Sequence, residues 1–200
     1  MGTQKNQILY TTIYKESFSL DIDASKEDKF FFVSLWILKL EAVKPNLKWK
    51  TTELSLRTGL SRSWIYKYFG RNQKDLLNLA LKMVLEDFYG DSTKRTLLKE
   101  KYGTIGTIFR SRAIFQNFPE VLVFYYKNRI NKNSIGEMIR TEEQYFFKRL
   151  SRSTGLKGDL LYEFFSSLHG VATAFSLTDE QVNTCVNSIV NRFLISKNNL

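Results

Sequence analysis

The chain has few of the residues from which protein active sites are most often built. Its 200 residues include one cysteine, one histidine and two prolines. The lone thiol, Cys185, excludes an internal disulfide and any cysteine-built metal site, and it fits a reducing compartment. With His169 as the single imidazole, the usual catalytic triads and metal-ligand sets are short of members. The one glycine pair resembling a phosphate loop, Gly103-Thr104-Ile105-Gly106, lacks both the lysine and the preceding strand that such a loop needs. Acidic pairs such as Glu142-Glu143 lie in helical sequence with nothing to mark them as catalytic. The expectation is therefore a chain that is not an enzyme and uses no metal or cofactor. Long apolar runs are missing too. The longest, 30–40, is interrupted by Ser34 and Lys39, well short of the roughly 20 residues that cross a bilayer. No charged segment followed by an apolar stretch opens the sequence. A soluble, cytoplasmic chain with no membrane partner is expected.

What the chain does carry is positive charge. Thirty Lys and Arg against 20 Asp and Glu give a net charge of +10, which favours polyanionic partners through long-range attraction and counterion release. Much of this surplus, at Lys94, Arg95, Lys99, Lys101, Arg110, Arg112, Lys127, Arg129 and Lys132, reads as a solvated face. Hydrophobic residues make up 43% of the chain, enough for one or two globular domains.

The periodicity is helical throughout, and 51–69 is its most specific stretch. Leu54 and Leu56 precede Thr58-Gly59-Leu60, and Ile65 and Phe69 follow at a four-residue step, so two short amphipathic helices flank a glycine break. Thr51 is expected to cap the first helix and Ser61 the second, with Gly59 where the chain reverses. With Ile65 and Phe69 inward, Arg62, Ser63, Trp64, Tyr66, Lys67 and Tyr68 take the outer faces, a donor-rich set suited to a major groove. Lys50, Thr51 and Thr52, at the opening of the first helix, are placed to meet phosphates. Trp49 reads as a packing residue.

The run Leu54-Ser55-Leu56-Arg57-Thr58-Gly59-Leu60-Ser61 through Ile65-Tyr66-Lys67-Tyr68-Phe69 resembles the helix-turn-helix of TetR-family transcription regulators. The resemblance extends over about 25–90. It implies an all-α architecture with a three-helix DNA-binding domain at 25–72, a connecting helix at 73–90 and a helical ligand-sensing and dimerisation domain at 91–200, behind an extension at 1–24. It also implies a homodimeric repressor that releases its palindromic operator on binding a small apolar or aromatic ligand. The sequence departs from the family pattern at Ser63, where glycine is favoured, and at Trp64, where a small residue is usual. One residue more follows Phe69 than the family has, so Lys74 or Arg71 replaces its phosphate-contacting lysine. The alternative is a helical interaction or scaffold protein whose helix-turn-helix no longer reads bases.

Elsewhere Ser25 opens a helix that Pro45 stops, Asn72 and Asp75 open another, and Pro119 starts one after a helix over 105–117. Ser134 to Glu137 reads as a capping box, and Thr178 to Gln181 caps a last helix. Residues 1–22 show no sustained period and leave an arm lying on DNA or a locally packed terminus open. Phe109, Phe115, Phe124, Tyr125, Phe146, Phe165 and His169 are candidate pocket-lining residues, each weighed against plain core. The last two helices carry Phe164, Leu168, Ala172 and Phe175 on one and Val182, Val186, Ile189 and Phe193 on the other. These are the candidate dimer faces.

Overall fold

A computed structural model describes residues 24–90 and 92–195; the N-terminal stretch, read as an arm on DNA or a locally packed terminus, lies outside them. Every described element is helical: α1 (Lys26–Val43), α2 (Thr51–Thr58), α3 (Arg62–Phe69), α4 (Gln73–Phe88), α5 (Thr93–Asn117), α6 (Pro119–Arg129), α7 (Ser134–Thr154), α8 (Gly158–Thr173) and α9 (Asp179–Val190), followed by a π-helical turn, Asn191–Ile195. No helix among the described residues is long and apolar enough to cross a membrane.

Contacts divide the described chain into two units, one of 24–92 with 117–142 and the other of 93–116 with 143–195. This grouping differs from the expected boundary near residue 90. The reason is α6, which follows that boundary in sequence but buries Val121 and Phe124 and packs onto α1. Phe118 meets the rings of Phe32 and Trp36 at 6.1 and 5.6 Å, and Glu120 pairs with Lys39 at 2.9 Å.

Helix α1 is the core of the first unit. The Ser25 hydroxyl accepts from the Asp28 amide, and Phe31, Val33, Leu35, Ile37, Leu38 and Leu40 are all buried, on more than one side of the helix. Behind it the chain turns through Asn46 and Leu47, both with left-handed backbone (φ 63° and 58°). The buried Glu41 carboxylate holds this turn. It accepts from the Asn46 amide at 2.8 Å, from the Leu47 amide at 3.2 Å and from the Trp49 indole N–H at 2.7 Å. Trp49, 1% exposed, is thus the packing residue its surroundings required.

In the second unit α5 breaks at Gly103 (φ 66°, ψ −155°), so the helix read from residue 105 is the second limb of a longer element. The Thr178–Gln181 capping box forms in both directions. The one expected at Ser134 does not: Ser134 is already helical, and Asn133 caps α7 by accepting from the Gly136 amide at 2.9 Å. Arg112, 2% exposed, donates to the carbonyls of Ala174, Phe175 and Leu177 at 2.7, 3.1 and 2.5 Å. It thereby ties the cap residue of α8 and the turn beyond it to α5.

The expected dimer faces are largely internal. Phe164, Leu168, Ala172, Val182, Val186 and Phe193 are buried within the single chain, Ile189 is half-buried, and Phe164 meets Phe193 at 5.6 Å. The apolar faces of α8 and α9 cover each other, so of those eight residues only Phe175, 44% exposed, remains open.

The Glu41 arrangement predicts a contrast in stability. Glu41→Ala leaves the buried Trp49 indole N–H and two part-buried amides without an acceptor and should cost about 1–3 kcal/mol. Lys44→Ala removes only the exposed pair with Glu53 (2.6 Å) and should cost about 0–1 kcal/mol. Urea denaturation of both variants compares the two losses directly.

Candidate nucleic-acid interface

The turn between α2 and α3 is fixed by short polar contacts. Gly59 adopts φ 70°, the left-handed conformation that ends α2, and its amide returns to the Ser55 carbonyl at 3.0 Å. Any side chain here would be strained. The Thr58 hydroxyl donates to the Leu54 carbonyl at 2.8 Å and the Ser55 hydroxyl to the Leu60 carbonyl at 2.6 Å. Ser61 then caps α3 by accepting from the Trp64 amide at 3.2 Å. Leu54, Ile65 and Phe69 are buried and lock α2 and α3 to the core. Leu56 is 81% exposed; a two-residue step from buried Leu54 on a helix carries it to another face.

Thr51 is the first residue of α2 and not its cap. Lys50 takes the cap position in extended backbone and makes no side-chain cap bond, because the turn held by Glu41 delivers the chain one residue earlier. Lys50 and Thr52 are exposed and Thr51 half-buried. The Gln73 side-chain amide donates to the Trp49 carbonyl, tying the start of α4 to the same turn. Lys74 is exposed in the first turn of α4, behind the Asn72 cap.

The six outward residues expected on α3 separate into two sets. Arg62, Ser63, Tyr66 and Lys67 share a face by four-residue stepping and, with Arg71, line an open groove of about 590 Å³. Three of the five carry positive charge and none is acidic. Trp64 and Tyr68 turn to the other side, where Phe30 of α1 meets both rings at 5.4 Å and the two meet at a tilt, 4.9 Å apart. Lys26 lies over the Tyr68 ring at 4.4 Å. These contacts fasten α3 to α1, each ring pair contributing about 0.5–1.5 kcal/mol beyond its burial. The large side chain at 64 is accounted for by the uncovered Phe30 ring that it packs on.

Arg71 is the groove residue that the sequence left as an alternative to Lys74. Gly70 (φ 89°, ψ −179°) ends α3 in a conformation open to glycine, and the Arg71 guanidinium that follows lies 5.9 Å from the Tyr66 ring centre.

The candidate pocket residues are divided between the units. Tyr125 donates to or accepts from the Tyr89 hydroxyl at 2.9 Å and meets Phe88 at 5.6 Å, near buried Phe124, in the first unit. Phe109 and Phe115 are buried in the second, where His169 lies against Phe165 (5.8 Å, near parallel) and edge-on to Phe115 (5.9 Å), and Phe146 meets Phe165 at 5.2 Å. The seven residues therefore do not make one cluster. Among the described residues no group of histidine, cysteine and carboxylate side chains could hold a metal ion.

Burial lowers the His169 pKa from its ordinary value. The charged form is thus penalised in the fold, and stability should be full above about pH 6.5, the value in an unfolded chain, and decline as pH falls below it. His169→Phe should flatten the melting temperature between about pH 7.5 and 5.5, where no other side chain titrates in its unperturbed state. Parallel declines in parent and variant would remove His169 as the cause.

Set beside known protein families, curated proteins and solved structures, the chain matches none significantly, so its function is argued from the groove itself.

Proposed function

We propose that the chain is a DNA-binding transcription regulator of the TetR type, a ligand-responsive repressor that reads a palindromic operator as a dimer. The observation that carries this reading is the cationic groove on the outer face of the second helix of a glycine-hinged helix pair. Inserted in a major groove, α3 presents Arg62 to a guanine edge, and Ser63 and Tyr66 offer hydroxyls beside it. Lys67, Arg71, Lys50, Thr52 and Lys74 meet the backbone phosphates, which supply affinity without sequence information. Trp64 and Tyr68 set the angle of the helix through Phe30. A small apolar or aromatic effector is assigned to the unit holding Phe109, Phe115, Phe146, Phe165 and His169. It lowers operator affinity by the difference between its own affinities for the DNA-competent and DNA-incompetent states.

Pairing of two copies is assigned to exposed apolar residues of α7 and α8, Tyr145, Leu160 and Tyr162 (54%, 54% and 55% exposed), in place of the internal α8–α9 faces. The scaffold reading is favoured by one observation: Trp64 and Tyr68 are committed to Phe30, which leaves a short reading face.

Selection of bound duplexes from a random pool separates the two readings, since a scaffold enriches no sequence. On the selected duplex Arg62→Ala should cost about 1–3 kcal/mol, while Arg71→Ala and Lys67→Ala should weaken specific and random duplexes alike and each reduce the salt slope by about one. Equal loss on both duplexes for Arg62→Ala would overturn its base contact. Light scattering at micromolar concentration should give about twice the 23.5 kDa of one chain. The mass of a single chain would remove the dimer and the palindrome with it.

A further inference from the structure

Two lysines from different helices converge on the ring of Tyr68. The Lys26 ammonium lies 4.4 Å from the centre of that ring and 5.6 Å from the centre of Phe30, and the Lys67 ammonium lies 5.2 Å from the same Tyr68 ring. Lys26 is the first residue of α1 and Lys67 stands in the last turn of α3. Both are exposed, and neither pairs with a carboxylate among the described residues. Of the acids beside Lys26, Asp28 is turned to the Ser25 hydroxyl at 2.8 Å, and Glu27 stands about 100° further round the helix.

Like charges gathered on one uncharged ring repel each other, weakly in water and more strongly as water is excluded. An anion set between them turns that repulsion into attraction. The place of the cluster indicates which anion. A helix with its side chains is about 10–12 Å across and a major groove about 12 Å wide, so a strand of phosphates runs along each flank of a helix seated there. Arg71 lies with Tyr66 on the groove side of α3, and Lys26 lies on the side that Phe30 covers. A phosphodiester brings one negative charge on two unesterified oxygens, one for each ammonium. A protein carboxylate brings the same charge, but Lys67 also lines the groove with Arg62 and Arg71, and only an extended polyanion meets that whole band at once.

We infer that Lys26 is a DNA-backbone contact from outside the helix-turn-helix. Together with Lys67 it clamps one phosphate of the strand that passes α1, and the Tyr68 ring positions the two ammoniums for it. The inference rests on the DNA reading and adds α1 to the binding surface.

The test uses the full-length chain and the duplex selected from the random pool. Lys26→Ala should weaken specific and random duplexes alike and lower the salt slope by about one, whereas Lys26→Arg should keep the parent slope. A merely structural part for Lys26 would change affinity and leave the slope alone. Replacing the phosphates one at a time by uncharged methylphosphonates then locates the contact. At one position in each half-site the loss measured with the parent should vanish with Lys26→Ala, and with Lys67→Ala at the same position. Circular dichroism melts check folding; where Lys26→Ala is less stable, Lys26→Met keeps an apolar stem on the ring and carries the same expectation. An unchanged slope in the uncharged variants, or equal losses in parent and variants at every methylphosphonate position, would overturn the clamp and leave the groove reading standing. A parent chain that enriches no duplex would overturn both.

Discussion

The burial of α1 is the constraint on which the rest of the first unit depends. Six large apolar residues of this helix are removed from water, each worth about 1.5–3 kcal/mol when fully buried, and no single neighbour can cover a helix that is apolar on several sides. The two ends of α1 then set α2 and α3. At the front, Phe30 stacks on Phe69 at 5.0 Å and draws Trp64 and Tyr68 inward, which orients α3. At the rear, Glu41 fixes the turn that delivers the chain to α2. The direction of the cationic groove is thus a by-product of core packing.

Features governed by local chemistry were legible in the sequence. Ser25, Ser61 and Thr178 cap as read, Gly59 reverses the chain, and the inward step of Ile65 and Phe69 placed Arg62, Ser63, Tyr66 and Lys67 among the outer residues of α3. Thr51 and Ser134 were misread by a single residue, because a polar residue at a helix start can be the cap or the first helical position, and distant contacts such as the Glu41 turn decide which. Trp64 and Tyr68 were placed outward because helical periodicity contains no record of Phe30, which reaches them from another helix. Arg71 was underweighted because the consequence of one additional residue depends on the backbone that Gly70 adopts.

The faces of α8 and α9 illustrate a different limit. An amphipathic pattern states that a face must be covered and is silent on whether the cover comes from the same chain. The same ambiguity affected α6, whose place in sequence put it with the later helices although its buried side belongs to α1. Aromatic residues spread over about sixty positions, such as those named for one pocket, carry no signal that would have divided them between the two units.

Arg112 gives α5 a mechanical role. Its guanidinium is shared among three carbonyls at the end of α8 and the turn beyond it, and a charge this deeply buried is costly to leave unsatisfied. Sliding or rotating the later limb of α5 by even one ångström would have to break those bonds or carry the α8–α9 turn along. The two are thus coupled directly through one side chain, without an intervening loop.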